Sequence, residues 1–202
     1  MNEKKDNIFR SFYNGLWKEN PILVLCLGLC PALAVSTSAV YALTMGVFTS
    51  AVLVLTNVFV SVLKKIIPKE QRLLAYLLLA ASFTVAGELF LRAFYPELRE
   101  GLGIFIPLTA VNGLIYDRAE RCAYTSSPQI ALFDALGMSI GYTFLITLLG
   151  AIREIIAFGT IFGIHLFSAD YTISFTALAP GGFILLAFIM ALANKIRGGH
   201  RS

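Results

Sequence analysis

The chain has 202 residues, 57% of them hydrophobic and 14% charged, with a formal net charge of +4 and a mean hydropathy of +0.77. Soluble domains carry about a quarter charged residues, so this composition leaves too little polar surface for a water-soluble fold. The positive charge is not a nucleic-acid footprint, because it is confined to one set of connections between apolar runs.

The N-terminus, MNEKKDNIFR, is charged and no small-residue cleavage site precedes the first apolar run, so the first span reads as retained and not as a removable signal. No charged residue occurs from Pro21 to Leu63. That run suits two spans of roughly 20 residues joined by a tight turn near Ser36, Thr37 and Ser38. The first is interrupted at Gly28 and Cys30-Pro31, because proline has no N–H and leaves a carbonyl near residue 27 without its helical partner. Asn57 in the second span is expected to bond across helices. Lys64 and Lys65 close that span. A third runs from about Leu73 to Phe94, where Glu88 and Arg92, acid first and four apart, suit a local ion pair, with a proton or ion relay as the functional alternative.

The fourth apolar segment, residues 101–116, rises only roughly 24 Å at helical pitch, short of a roughly 30 Å hydrocarbon core. It contains Pro107 and Asn112-Gly113 and ends in the alternating charges Asp117, Arg118, Glu120 and Arg121. Those four read as an interfacial network. The fifth span covers about Ile130 to Ala151, with Arg153-Glu154 at its outer end, and the sixth about Phe175 to Asn194. Residues 157–174 read as an interfacial or re-entrant segment. His165 and His200 fall in no ligand spacing.

Thirteen of the sixteen Lys and Arg residues lie on one side of this six-span arrangement, which sets both termini inside. The reading is therefore an all-α integral membrane protein, a single domain over 1–202. Its six transmembrane helices form two inverted three-helix repeats (about 15–95 and 100–195), with broken first and fourth helices. Cys30 and Gly113 each lie roughly 15 Å into the bilayer, entering from opposite sides. The two breaks should meet near the midplane, and irregular backbone there is tolerated only where it is buried in protein or lines a cavity. Three cysteines, at 26, 30 and 122, are an odd number in apolar or inward-facing segments, which argues against a disulfide framework. No phosphate loop, zinc pattern or nucleophile triad is present, so the chain has no complete active site of its own.

Several stretches resemble the family of E subunits of the Rnf electron-transport complex, whose close relatives are the D subunits of the sodium-pumping NADH:quinone oxidoreductase. They are GLWKEN at 15–20, GLCPALAV at 28–35, LVLTNVFVS at 53–61, LGIFIPL at 102–108, RAE at 118–120, LLGAIREII at 148–156, GTIFG at 159–163 and PGGF at 180–183. The resemblance implies a subunit of a redox-driven ion pump in the prokaryotic inner membrane. It would be embedded in lipid and paired with a homologous A-type subunit of opposite orientation and with other Rnf subunits. It also implies a 2Fe–2S cluster held between the two broken-helix proteins, relaying electrons between ferredoxin or a nicotinamide nucleotide and the rest of the chain, coupled to Na+ or H+ movement.

Cys30 matches one cluster ligand. Where the family has a second cysteine after Asn112, this chain has Gly113, which cannot ligate through a side chain. Three readings stay open: Cys26 replaces the missing ligand, being four residues from Cys30 and so on the same helix face; Cys122 folds back; or the cluster is lost and the chain is a cofactor-free scaffold or ion-pathway subunit. Asn112 either satisfies carbonyls freed at the break or bonds near the cluster sulfurs.

Overall fold

A computed structural model describes residues 21–161, 164–165 and 178–198. The GLWKEN stretch, the basic N-terminal residues, most of 157–174, His200 and Arg201 lie outside those residues. The described part is helical: α1 (Leu29–Val35), α2 (Ala39–Leu63), α3 (Arg72–Phe94), α4 (Pro96–Leu102), α5 (Phe105–Leu108), α6 (Gly113–Arg118), α7 (Pro128–Phe158) and α8 (Ala179–Gly198). A π-helical turn over Ala119–Ala123 extends α6. After α7 the chain makes a two-residue antiparallel ladder, Thr160–Ile161 with Ile164–His165, a small departure from an all-helical chain.

Three helices, α2, α3 and α7, are long and apolar enough to cross a membrane, and the pair Pro96–Leu102 with Phe105–Ala123, bent by 70°, makes a fourth candidate. The apolar part of α8, Pro180–Lys195, is shorter. Helix α7 is longer than the sequence suggests, because Arg153 and Glu154 stay inside it, buried, instead of ending it at the interface.

The scaffold is the antiparallel pair α2 and α7. Residues with little side chain let the two backbones approach, which is how helices associate where water supplies no driving force. A Cβ on Gly46 would lie 3.1 Å from the Cα of Thr143, and one on Gly150 would lie 2.8 Å from the Cβ of Ala42. Alongside these contacts Ser50 Oγ bonds Thr143 Oγ1 at 3.0 Å and donates to the Ser139 carbonyl at 3.3 Å. Around this seam Met45, Leu53, Ile106, Leu114, Ile115, Met138 and Ile146 form the buried core.

Helix α3 is peripheral. Only Tyr76, Ala80 and Thr84, spaced four apart along one face, are buried, while Leu74, Leu78, Val85 and Leu89 point outward. Phe59 of α2 and Phe83 of α3 meet at 5.0 Å between ring centroids.

The charged connections gather at one end of this bundle. Lys64 donates to the Ser126 carbonyl, as does Ser61 Oγ at 3.1 Å. Arg72 pairs with Glu120 at 2.9 Å. The links 64–72 and 117–127 thus share one end, as the charge asymmetry requires, and Arg99 and Arg153 lie at the other.

Replacing Gly150 with Leu is expected to force α2 and α7 apart and to destabilise the subunit by about 1–3 kcal/mol. Denaturant titration in mixed micelles measures this; an unchanged midpoint would mean that the seam is not tightly packed.

Candidate functional site

The two interrupted segments meet. Gly28 takes a left-handed φ of 73°, and a Cβ there would lie 2.9 Å from Cε2 of Tyr142 and 3.3 Å from Oδ1 of Asn112. Only glycine satisfies both the dihedral and the close approach. The first break falls over residues 26–28, one turn earlier than the Cys30-Pro31 dipeptide suggests. Cys26 has φ 53°, the one positive value on a non-glycine among the described residues. Helix α1 then starts at Leu29, so Pro31 sits in its first turn, where an N–H would have no helical partner anyway. Proline here opens a half-helix instead of breaking one. Cys30 lies in that first turn.

In the fourth segment the chain bends at Gly103 (φ 51°) and again at Asn112, which is extended. Asn112 caps α6: its Oδ1 accepts from the Leu114 N–H at 3.0 Å, while its buried Nδ2 has the Tyr142 hydroxyl as its polar neighbour but makes no well-formed hydrogen bond. Gly113 follows as the first residue of α6.

Tyrosine hydroxyls reach a carbonyl at each break, that of Gly28 also accepting from the Ala32 N–H at 3.4 Å as the first bond of α1. Tyr142 of α7 donates to the Gly28 carbonyl at 3.3 Å, and Tyr116 donates to the Ala110 carbonyl at 2.6 Å. Neither tyrosine carries a sequence signal for that role.

Adjacent residues of α7 hold the other end of the first half-helix. Arg153 donates to the Leu33 carbonyl at 2.7 Å, to Ser36 Oγ at 2.6 Å and to the Leu178 carbonyl at 3.2 Å. Glu154 accepts from the Ala39 N–H at 2.7 Å and from Thr160 Oγ1 at 3.1 Å. A cation thus meets the C-terminal carbonyls of α1, and a carboxylate meets the N-terminus of α2, the sign each helix end favours. Ser38 has the residue type of an N-cap but makes no capping bond; Glu154 supplies the acceptor from another helix.

Several further charges are paired as well. Arg118 forms a two-pronged, buried ion pair with Asp134, with Nε to Oδ2 at 2.9 Å. Asp134 is not singled out by the sequence pattern above, although a lone carboxylate inside an apolar run is itself a signal. Asp117 pairs with Arg121 at 2.6 Å, and Glu120 accepts from Arg72 and, at 2.7 Å, from Tyr76. Within the alternating run Asp117 and Arg121 pair with each other, while Arg118 and Glu120 pair with Asp134 of α7 and Arg72 of α3.

Glu88 pairs with Arg99 at 3.0 Å, not with Arg92, because α4 folds back beside the end of α3. Asn57 makes no interhelical bond: both amide atoms are buried without partners.

For the implied cluster, the donors are thiols. Cys26 and Cys30 are both exposed at the first break, and Cys122 is half-buried beside Ser126. The helix from Gly113 through Ala123 carries Cys122 roughly 13 Å along from the second break. No group of three metal-ligating side chains occurs among the described residues. A cluster of this kind would take four thiolates, of which the two exposed thiols of this chain would be half.

Replacing Arg153 with Leu strips donors from the Leu33 and Leu178 carbonyls and from Ser36 Oγ, which should cost about 1–3 kcal/mol, with Arg153→Lys recovering part. Thermal unfolding of the detergent-solubilised protein checks this, and equal loss in both variants would contradict a charge-based role.

Known proteins share this sequence over nearly its whole length. The chain is 42% identical over 189 residues to the E subunit of the Na(+)-translocating ferredoxin:NAD(+) oxidoreductase complex of Acetobacterium woodii, covering 93% of this chain and 96% of that protein. It is 38% identical over 195 residues to the E subunit of the proton-translocating ferredoxin:NAD(+) oxidoreductase complex of Clostridium ljungdahlii, covering 96% and 91%. It is 39% identical over 204 residues to the E subunit of an ion-translocating oxidoreductase complex of Buchnera aphidicola, covering 94% and 90%. The Rnf-Nqr subunit family, described as membrane proteins, matches residues 8–190. On that match and those identities, the chain belongs to the Rnf-Nqr family of membrane subunits.

Proposed function

We propose that the chain is the E-type member of an Rnf-type complex in the prokaryotic cytoplasmic membrane, one that couples electron transfer between ferredoxin and NAD to ion movement. Its part is to hold an intramembrane iron–sulfur relay together with a homologous A-type subunit of opposite orientation. The observation that carries this is the meeting of the two chain breaks at Gly28 and Asn112, with Cys30 exposed in the first turn of the half-helix that follows. An exposed thiol at such a break, inside a segment of bilayer-spanning character, is open to a second protein and not to water.

The six-span, inverted-repeat reading draws support from the α2–α7 seam. An offset of 93 residues aligns ALTM at 42–45 with ALGM at 135–138. The same offset pairs Ser50 with Thr143, and these two residues bond each other, as residues beside a two-fold axis do. It also exchanges the Ser50–Ser139 contact for the Gly46–Thr143 contact, and both occur. Clustering of Lys64, Lys65, Arg118 and Arg121 near one end supports an orientation with both termini inside.

A bound cluster would supply one-electron transfer. Cys30 would hold it from this chain, Gly28 would let the half-helix come close to Asn112, and Tyr142 and Arg153 would fix the two ends of that half-helix. The relatives divide between Na(+) and proton translocation in their names, so the coupling ion is not read from likeness.

In the whole complex, Cys30→Ser should remove about two irons and abolish ferredoxin-driven NAD reduction while the subunits remain assembled. Unchanged iron in an assembled complex would overturn the relay and leave the scaffold or ion-pathway role. For orientation, single cysteines at Lys65 and Glu97 should react with an impermeant maleimide from opposite membrane faces; labelling from the same face would refute the topology.

A further inference from the structure

We infer that Cys26 and Cys30 form a dithiolate pair that holds one iron of a thiolate-bound cluster, with the Asn112 amide as hydrogen-bond donor to its sulfurs. The inference rests on the relay reading above and deepens it, because it names the second ligand from this chain.

Four observations converge on the turn over residues 26–30. Both thiols are exposed, although free cysteine is among the most buried residue types and the flanking Ile22, Pro31, Ala32 and Leu33 are buried. Cys26 and Cys30 stand on either side of Gly28. The turn between them is not helical, so their relation is not that of neighbours on one helix face, as the spacing alone suggests. It is set by two left-handed residues, Cys26 and Gly28, that redirect the chain.

The turn also borders the blank position on the second break. A Cβ built on Gly113 would meet only the Cδ2 of Leu27, at 3.4 Å, an ordinary contact. Leu27 is the residue next to Cys26, so the first break passes the open position at 113.

Finally, the Asn112 Nδ2 is a weakly satisfied donor. Asn112 is 5% exposed, its Nδ2 makes no well-formed hydrogen bond and has the Tyr142 hydroxyl as its polar neighbour, and that atom lies 3.5 Å from where a Cβ on Gly28 would be. A buried amide donor at membrane depth requires an acceptor. A thiolate or bridging sulfide held between residues 26 and 30 would be one, and hydrogen bonds to cluster sulfurs are a main control on reduction potential. Soft thiolates select iron–sulfur clusters, zinc or copper(I) over hard cations. Two thiolates do not complete a tetrahedral site, and no third ligand of this chain joins them among the described residues. An iron whose other two ligands are bridging sulfides closes that shell.

The test uses the assembled complex with parent, Cys26→Ser, Cys30→Ser and Cys26→Ser/Gly113→Cys subunits, scored for iron, acid-labile sulfide and the low-temperature paramagnetic signal of the reduced cluster. Cys26→Ser should lose as much iron as Cys30→Ser, and the double variant should regain it through the open position beside Leu27. Asn112→Leu should retain iron and move the midpoint potential of the Cys30-dependent signal to more negative values. If Cys30→Ser loses iron and Cys26→Ser does not, the pair is wrong while the relay stands. If both retain iron, the relay itself fails. Because a serine variant could fail to assemble, alkylation of the parent complex provides a second readout. Both thiols should resist a small maleimide until iron is chelated out, and ready labelling of Cys26 in the native complex would overturn the assignment.

Discussion

Inside a bilayer no water is present to meet a backbone N–H or C=O that the helix ladder leaves open, so every interruption must be answered by another part of the protein. The rest of this structure depends on that requirement. The chain interrupts itself at Cys26–Gly28, at Gly103 and at Asn112, and it begins and ends several helices in apolar surroundings. Most of the answers come from a different element: Arg153 for Leu33, Glu154 for Ala39, Lys64 and Ser61 for Ser126. Local bonds supply the others, at Ala110 from Tyr116 and at Leu114 from Asn112. The polar side chains that look like ion-path candidates in a hydropathy profile are, in large part, the caps of other helices.

Helix α7 carries much of this duty. One face packs against α2 through Gly150, Ile146, Thr143 and Ser139, and the same helix supplies Tyr142 to the first break and Arg153-Glu154 to the far ends of α1 and α2. The half-helix bearing Cys30 is therefore fixed at both ends by one rigid rod. A half-helix of seven residues has little stability of its own, and its position is a property of α7 more than of its sequence.

The unpartnered groups divide into two kinds. Asn57 is buried with both amide atoms open, a cost of the packing with no function assigned. Asn112 differs because its open donor lies beside the turn that carries two exposed thiols, at the meeting of the breaks. A buried amide N–H that lacks a well-formed hydrogen bond points to a ligand only in the second case.

How much of this is legible in the chain varies with the range of the interaction. The sequence determined the membrane character, the end of α2, both ends of α3 to within a residue or two, the existence of both breaks and the grouping of basic loops, because apolar run length, Gly/Pro placement and charge are local properties. The resemblance carried by GLCPALAV and LGIFIPL pointed to the family. Sequence alone marked the first break at Gly28 but misread the role of Pro31, which reads as a breaker until the helix is seen to start at Leu29. It paired Glu88 with Arg92 because i, i+4 is the only neighbour a lone helix offers, whereas the fold of α4 brings Arg99 closer. It ended α7 too soon and passed over Asp134, because whether an apolar segment tolerates Arg153, Glu154 or a carboxylate depends on partners up to 120 residues away. What only the tertiary structure decided is which polar group answers which broken backbone, and that depends on distances in space that spacing along the chain does not encode.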